Sequence, residues 1–191
     1  MSAMLTTPPS LLERLRRSPE REAWERFVEM YTPLFFAWAK RLGVGPHDAR
    51  DLVQDLFAVL VEKLPRFEYE PGKSFRGWLR TVFLNRWRNW RRGQAREAAA
   101  VAGVARDQST ALTEPPELEE AEYRRYLVQR ALRLMQAEFE PVTWQACWEY
   151  VACGRPAQEV AAALGITVNS VYLAKARVLR RLRNELAGLL D

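Results

Sequence analysis

Only two of the 191 residues are cysteine and only one is histidine, and no apolar run reaches the length of a membrane span. Each scarcity excludes something. Cys147 and Cys153 stand six apart, on nearly opposite faces of a helix, a spacing that matches no metal or redox motif, so both are expected to be core thiols. His47 lies in a turn, and there is neither a glycine-rich phosphate loop nor a Cys/His pair. The acid, base and nucleophile sets of an enzyme are therefore missing, and no catalytic residue, metal or cofactor is expected. Asp48, Asp51 and Asp55 could form a helical carboxylate cluster, but a divalent ion would need a partner cluster that the chain lacks. With no charged-then-apolar leader at the N-terminus, the protein is expected to be cytoplasmic. The alternation of a β-strand is missing as well, and the expected fold class is all-α.

What the chain does contain is enough to fold: 48% of its residues are apolar and 11% of all residues are aromatic, and the apolar ones sit at helical spacing almost throughout, as in Trp24, Phe27, Val28 and Tyr31. Pro33 is expected to start or kink a helix, and "GVGPHD" at 43–48 reads as a turn followed by a helix start. Four segments are expected: a flexible tail over 1–10, a helical domain over 11–93, a flexible linker over 94–116, and a second helical domain over 117–191. The linker assignment rests on its alanine-rich composition, and the second start on Pro115, Pro116 and the glutamates after them.

The net charge of +5 matters less than its distribution. A helix from Asp48 to Leu64 would bury Leu52, Val53, Leu56, Phe57, Leu60 and Leu64 while Asp48, Asp51, Asp55 and Glu62 form an acidic stripe on its other side. After the break at "PRFEYEPGK", Ser74 is a plausible N-cap for "SFRGWLRTVFLNRWRNWRR", which holds six arginines and no carboxylate. Phe75, Trp78, Leu79, Val82, Phe83 and Trp90 are assigned to its core face. Trp87 is expected outside, among Arg76, Arg80 and Arg91 and near Leu84, as an indole plate on a guanidinium surface suited to single-stranded nucleic acid. A solvated basic face is the plainer alternative.

The stretch 154–186 has helix-turn-helix grammar. Pro156 opens a short helix, Ala161 is small where helices cross, Gly165 supplies the turn, and Thr167 can cap a longer helix. That helix would bury Val171, Ala174, Val178, Leu182 and Leu186 and direct Asn169, Tyr172, Leu173, Ala176, Arg177, Arg180 and Arg183 outward. A plain helical hairpin is the alternative.

"DARDLVQDLFAVLVEKL", "SFRGWLRTVFLNRW" and the helix-turn-helix, in that order, resemble an extracytoplasmic-function sigma factor of bacterial RNA polymerase, over about residues 24–187. The resemblance implies that Asp48, Asp51, Gln54 and Asp55 bind the clamp helices of the polymerase largest subunit, with the flap as a further contact. It implies that Tyr69, Lys73, Arg76, Arg80, Asn85, Trp87, Arg88 and Arg91 meet the minus-ten element, with Tyr69 as the stacking candidate in the loop 67–73. Asn169, Ser170, Tyr172, Lys175, Arg177 and Arg180 would meet the minus-thirty-five element as duplex. An anti-sigma factor is a partner the family allows. Tyr172 and Ala174 stand where many members carry basic residues, so no sequence preference transfers, and the chain's end just after the recognition helix leaves no room for an extra C-terminal domain.

The serious rival is a stand-alone helix-turn-helix regulator, which would bind a duplex palindrome as a dimer without polymerase. A basic helix for membrane surfaces or protein partners comes third. Neither rival accounts for the acidic stripe.

Overall fold

The computed structural model describes residues 10–17, 20–68, 74–102 and 120–190. Among the described residues there are eight α-helices and no strand: α1 (Leu11–Arg17), α2 (Arg21–Arg41), α3 (Pro46–Lys63), α4 (Phe75–Ala102), α5 (Glu120–Met135), α6 (Pro141–Val151), α7 (Ala157–Leu164) and α8 (Val168–Leu186). The fold is all-α, as expected. It divides into two compact units, one built on α2, α3 and α4 and the other on α5 to α8. The expected tail falls mostly on residues outside those described, as do the second half of the expected linker and the proposed start at Pro115 and Pro116.

In the first unit α2 buries Phe27, Met30, Tyr31, Leu34, Phe35 and Trp38, residues recurring at steps of three and four. Pro33 neither starts nor ends this helix: it lies inside it with its ring exposed. Beside it the Thr32 hydroxyl donates to the Val28 carbonyl at 2.6 Å, a back-bond one helical turn away. Gly43, at φ 73°, closes α2 in the left-handed conformation. The Gly43 N–H then reaches the Lys40 carbonyl and the Val44 N–H the Ala39 carbonyl, both at 3.0 Å, a Schellman cap that turns the chain toward α3.

The core between these helices is largely aromatic. Phe35 of α2 lies 5.3 Å from Phe57 of α3 and 6.2 Å from Phe83 of α4, and Trp38 lies 5.3 Å from Phe83. Phe67, in the segment after α3, packs against Phe75 at 5.3 Å and Trp78 at 4.9 Å. Offset and edge contacts of this kind add to the burial of large apolar area, which suits a unit too small for a wide core.

The second unit is tied by α8. Ala146, Ala157, Val160, Ala161, Val171 and Ala174 form its inner cluster, and the alanines let α6, α7 and α8 approach closely. Arg181 of α8 donates from Nε to Glu138 at 3.0 Å and also pairs with Glu185, a carboxylate that is 2% exposed. These carboxylates hold the Arg181 guanidinium above its ordinary value, against the burial that opposes its charge.

Candidate nucleic-acid interface

Ser74 caps α4: its hydroxyl accepts the Gly77 N–H at 3.1 Å. From there α4 runs through Gly93 to Ala102, nine residues beyond the expected domain boundary. Gly93 is exposed with nothing near its Cβ position, and the helix formers around it (Gln94, Ala95, Arg96, Glu97) offset the glycine's cost of about 1 kcal/mol.

Trp87 corrects the outward placement. It is 2% exposed and lies inside with Leu84, whereas Trp78 and Trp90, assigned to the core, are half-buried. The buried positions Phe75, Leu79, Val82, Phe83, Leu84 and Trp87 drift around the cylinder along the helix, as happens when a long helix crosses its neighbours at an angle. A wheel centred on Phe75 follows the first two turns only. The indole cannot serve as an exposed stacking plate in this conformation, and the Arg91 guanidinium covers it at 5.3 Å from the ring centroid.

The remaining basic residues of α4 form a graded surface. Arg91 is exposed, Arg76, Arg80 and Arg88 are half-buried, and Arg88 donates to the exposed Asn85 at 3.2 Å. Tyr69 and Lys73 lie outside the described residues.

On α3 the expected burial holds for Leu52, Val53, Leu56, Leu60 and Leu64, with Phe57 only partly covered. Asp51, Gln54, Asp55 and Glu62 are exposed and Asp48 is half-buried. The stripe is not uniform, because Asp55 forms an ion pair with Arg86 of α4. Among the described residues Asp51 has only exposed His47, 3.9 Å away on its own helix. Among the described residues no group of three or more His, Cys, Asp or Glu is placed to hold a metal ion.

The helix-turn-helix has the anticipated local geometry. Gly165 adopts φ 66° and ends α7, the Ile166 N–H reaches back to the Ala161 carbonyl at 3.0 Å, and Thr167 caps α8 by accepting the Ser170 N–H at 3.1 Å. Val171, Ala174, Val178 and Leu186 are buried and Leu182 is half-buried. Asn169, Tyr172, Leu173, Ala176, Arg177, Arg180 and Arg183 are all exposed. Two of the expected contact residues are otherwise engaged. The Ser170 hydroxyl lies 2.7 Å from that of Thr167, within the cap, and the Lys175 ammonium sits over the Tyr150 ring at 5.2 Å.

Tyr150 went unnoticed in the sequence because it belongs to α6, where periodicity cannot relate it to α8. It also meets Tyr172 edge-on at 5.6 Å, so one ring contacts two side chains of α8. The cysteines part company: Cys147 is buried, and Cys153, expected in the core, is exposed just past the end of α6. Among the described residues no helix is long and apolar enough to cross a membrane.

Residues 27–97, covering most of α2, all of α3 and most of α4, match the family model of sigma-70 region 2. The extracytoplasmic-function (ECF) RNA polymerase sigma factor SigE of Mycolicibacterium smegmatis is 28% identical over 173 residues, which cover 86% of this chain and 62% of SigE. The chain thus spans less than two thirds of that relative's length. Among solved structures, CnrH, determined in complex with the cytosolic domain of CnrY, aligns over 95% of both chains with a TM-score of 0.36 and 21% identity. Residues 27–97 thus resemble a sigma-70 region 2, and over most of its length the chain is similar to an extracytoplasmic-function sigma factor.

Proposed function

We propose that this protein directs core RNA polymerase to specific promoters in the cytoplasm, its first unit docking on the polymerase and meeting the opened minus-ten strand while its helix-turn-helix binds the minus-thirty-five duplex. The observation that carries this reading is the pairing of a region 2 with a helix-turn-helix whose exposed stripe holds Asn169, Arg177, Arg180 and Arg183. Polar residues at the N-terminal end of such a helix suit base edges, and arginines farther along suit phosphates.

Docking falls to the exposed carboxylates of α3. Asp51 and Asp48 have no intramolecular cation partner other than His47 among the described residues, and a basic coiled coil is the complementary surface. The clamp helices of the largest subunit fit that description, and the flap is a further contact. On α4, Arg91, Arg76, Arg80, Arg88 and Asn85 supply the cationic and polar groups for the minus-ten strand, with Trp87 as their support from beneath. The protein has no catalytic role of its own and needs no cofactor. A protein that holds the sigma factor inactive would compete for these same faces.

The test is co-purification with core RNA polymerase followed by transcription in vitro from a genomic promoter library. Start sites that depend on both the protein and the core enzyme support the proposal. Binding of a palindromic duplex by a dimer, with no affinity for core enzyme, replaces it with a stand-alone regulator.

A further inference from the structure

We infer that Leu173 reads a thymine methyl group in the major groove, and that this apolar contact, rather than Lys175, sets part of the duplex preference of the helix-turn-helix. The inference rests on the duplex-binding role proposed above and deepens it. Asn169, Leu173 and Arg177 are spaced by four and therefore lie in line on the exposed face of α8. Leu173 is 50% exposed at the middle of that line, and Tyr172 beside it is 46% exposed.

A single exposed leucine is ordinary on a protein surface. This one has a setting that is not. The α8 core is supplied by Val171, Ala174 and Val178, so folding has no need of Leu173. It borders a shallow concavity together with Val142, Thr143, Ile166, Ser170 and Arg177, and Val142 is itself 46% exposed. Along the same face Arg177, Arg180 and Arg183 make no ion pair among the described residues, so an apolar spot is set among free cations. That combination is complementary to a groove walled by phosphates whose floor carries one apolar group.

The thymine C5-methyl is that group, and no other base presents an apolar substituent in the major groove. A leucine placed against the polar edge of another base would leave donors or acceptors unpaired and so select against it. Lys175, the neighbouring residue that could donate to a guanine edge, is drawn over the Tyr150 ring instead. Tyr150 also meets the Tyr172 edge and so limits how far the tyrosine can swing over Leu173.

The experiment uses the full chain bound to core RNA polymerase. A randomised duplex pool is selected for holoenzyme binding, and each thymine of the recovered upstream element is then replaced by deoxyuridine, which lacks only the methyl. Loss of one buried methyl should weaken binding about three- to fivefold at one or two positions and leave the others unchanged. Leu173→Ala should abolish that difference while circular dichroism and the salt dependence stay as in the parent chain, and Leu173→Met should restore part of it. A recovered element indifferent to deoxyuridine at every position, or a difference that survives Leu173→Ala, overturns the inference and leaves the duplex-binding role standing. Failure to enrich any upstream duplex overturns that role and the inference with it.

Discussion

Trp87 carries its indole nitrogen into the core with no hydrogen-bond acceptor among the described residues, so one of the largest buried side chains stabilises by area alone while its N–H costs free energy. Trp87→Ala is expected to lower stability by about 3–5 kcal/mol in urea unfolding of the full chain. Trp87→Phe should cost distinctly less, because it removes the unpaired donor along with part of the ring. A second contrast lies between the two thiols. Burial pushes the Cys147 thiol up, an effect that the nearby Lys175 charge only partly offsets. A thiol reagent at mildly alkaline pH is therefore expected to label Cys153 rapidly and Cys147 only as the protein opens. The sign for stability follows: the contribution of neutral Cys147 is fully present below the ordinary thiol value of an unfolded chain. It is lost as pH rises through the raised value.

Among the helices, α3 and α4 show how a charged stripe divides its labour. Asp51 points to solvent, whereas Asp55 is bound to Arg86, a side chain only 33% exposed. Asp51→Lys is expected to weaken core polymerase binding at least tenfold with the melting temperature unchanged. Asp55→Lys should in addition lower stability by about 1 kcal/mol by setting two cations together, and Arg86→Glu in the same chain should recover much of that loss in a double-mutant cycle. The turn between α7 and α8 makes a different demand. Nothing lies within 4 Å of a Cβ added at Gly165, so Gly165→Ala meets no clash. The φ of 66° alone should cost it about 1–2 kcal/mol in thermal unfolding.

That turn was legible in the sequence because its signals are local: a glycine that must take positive φ and a threonine one turn from the N–H it caps. The apolar spacing of α3 and α8 was legible for the same reason. Trp87 was not, since its burial depends on how α4 crosses its neighbours, which no single-helix wheel contains. Nor was the end of α4, where an exposed glycine is tolerated by the helix formers around it. Pairings such as Asp55 with Arg86, or Tyr150 with Tyr172, join different helices and leave no mark in the spacing of either.

For the whole molecule, the +5 net charge is a small sum over separated surfaces: carboxylates on α3, arginines on α4 and on α8. Promoter binding by the holoenzyme is accordingly expected to fall steeply with salt. Arg180→Ala should reduce the slope of log affinity against log salt by about 1 and leave the preferred sequence unchanged, as measured by filter binding over a salt series.

Along α8 the residues that hold the fold, Val171, Ala174, Val178 and Leu186, alternate with those that face outward, and the two sets share no member. Descendants of this gene can therefore exchange Asn169, Tyr172 or Leu173 one at a time without approaching the threshold of unfolding. If α8 binds duplex DNA as proposed, duplicated copies are free to diverge toward different sequences while keeping the same body. The helix that ties the second unit together is also the part most open to inheritance of new targets.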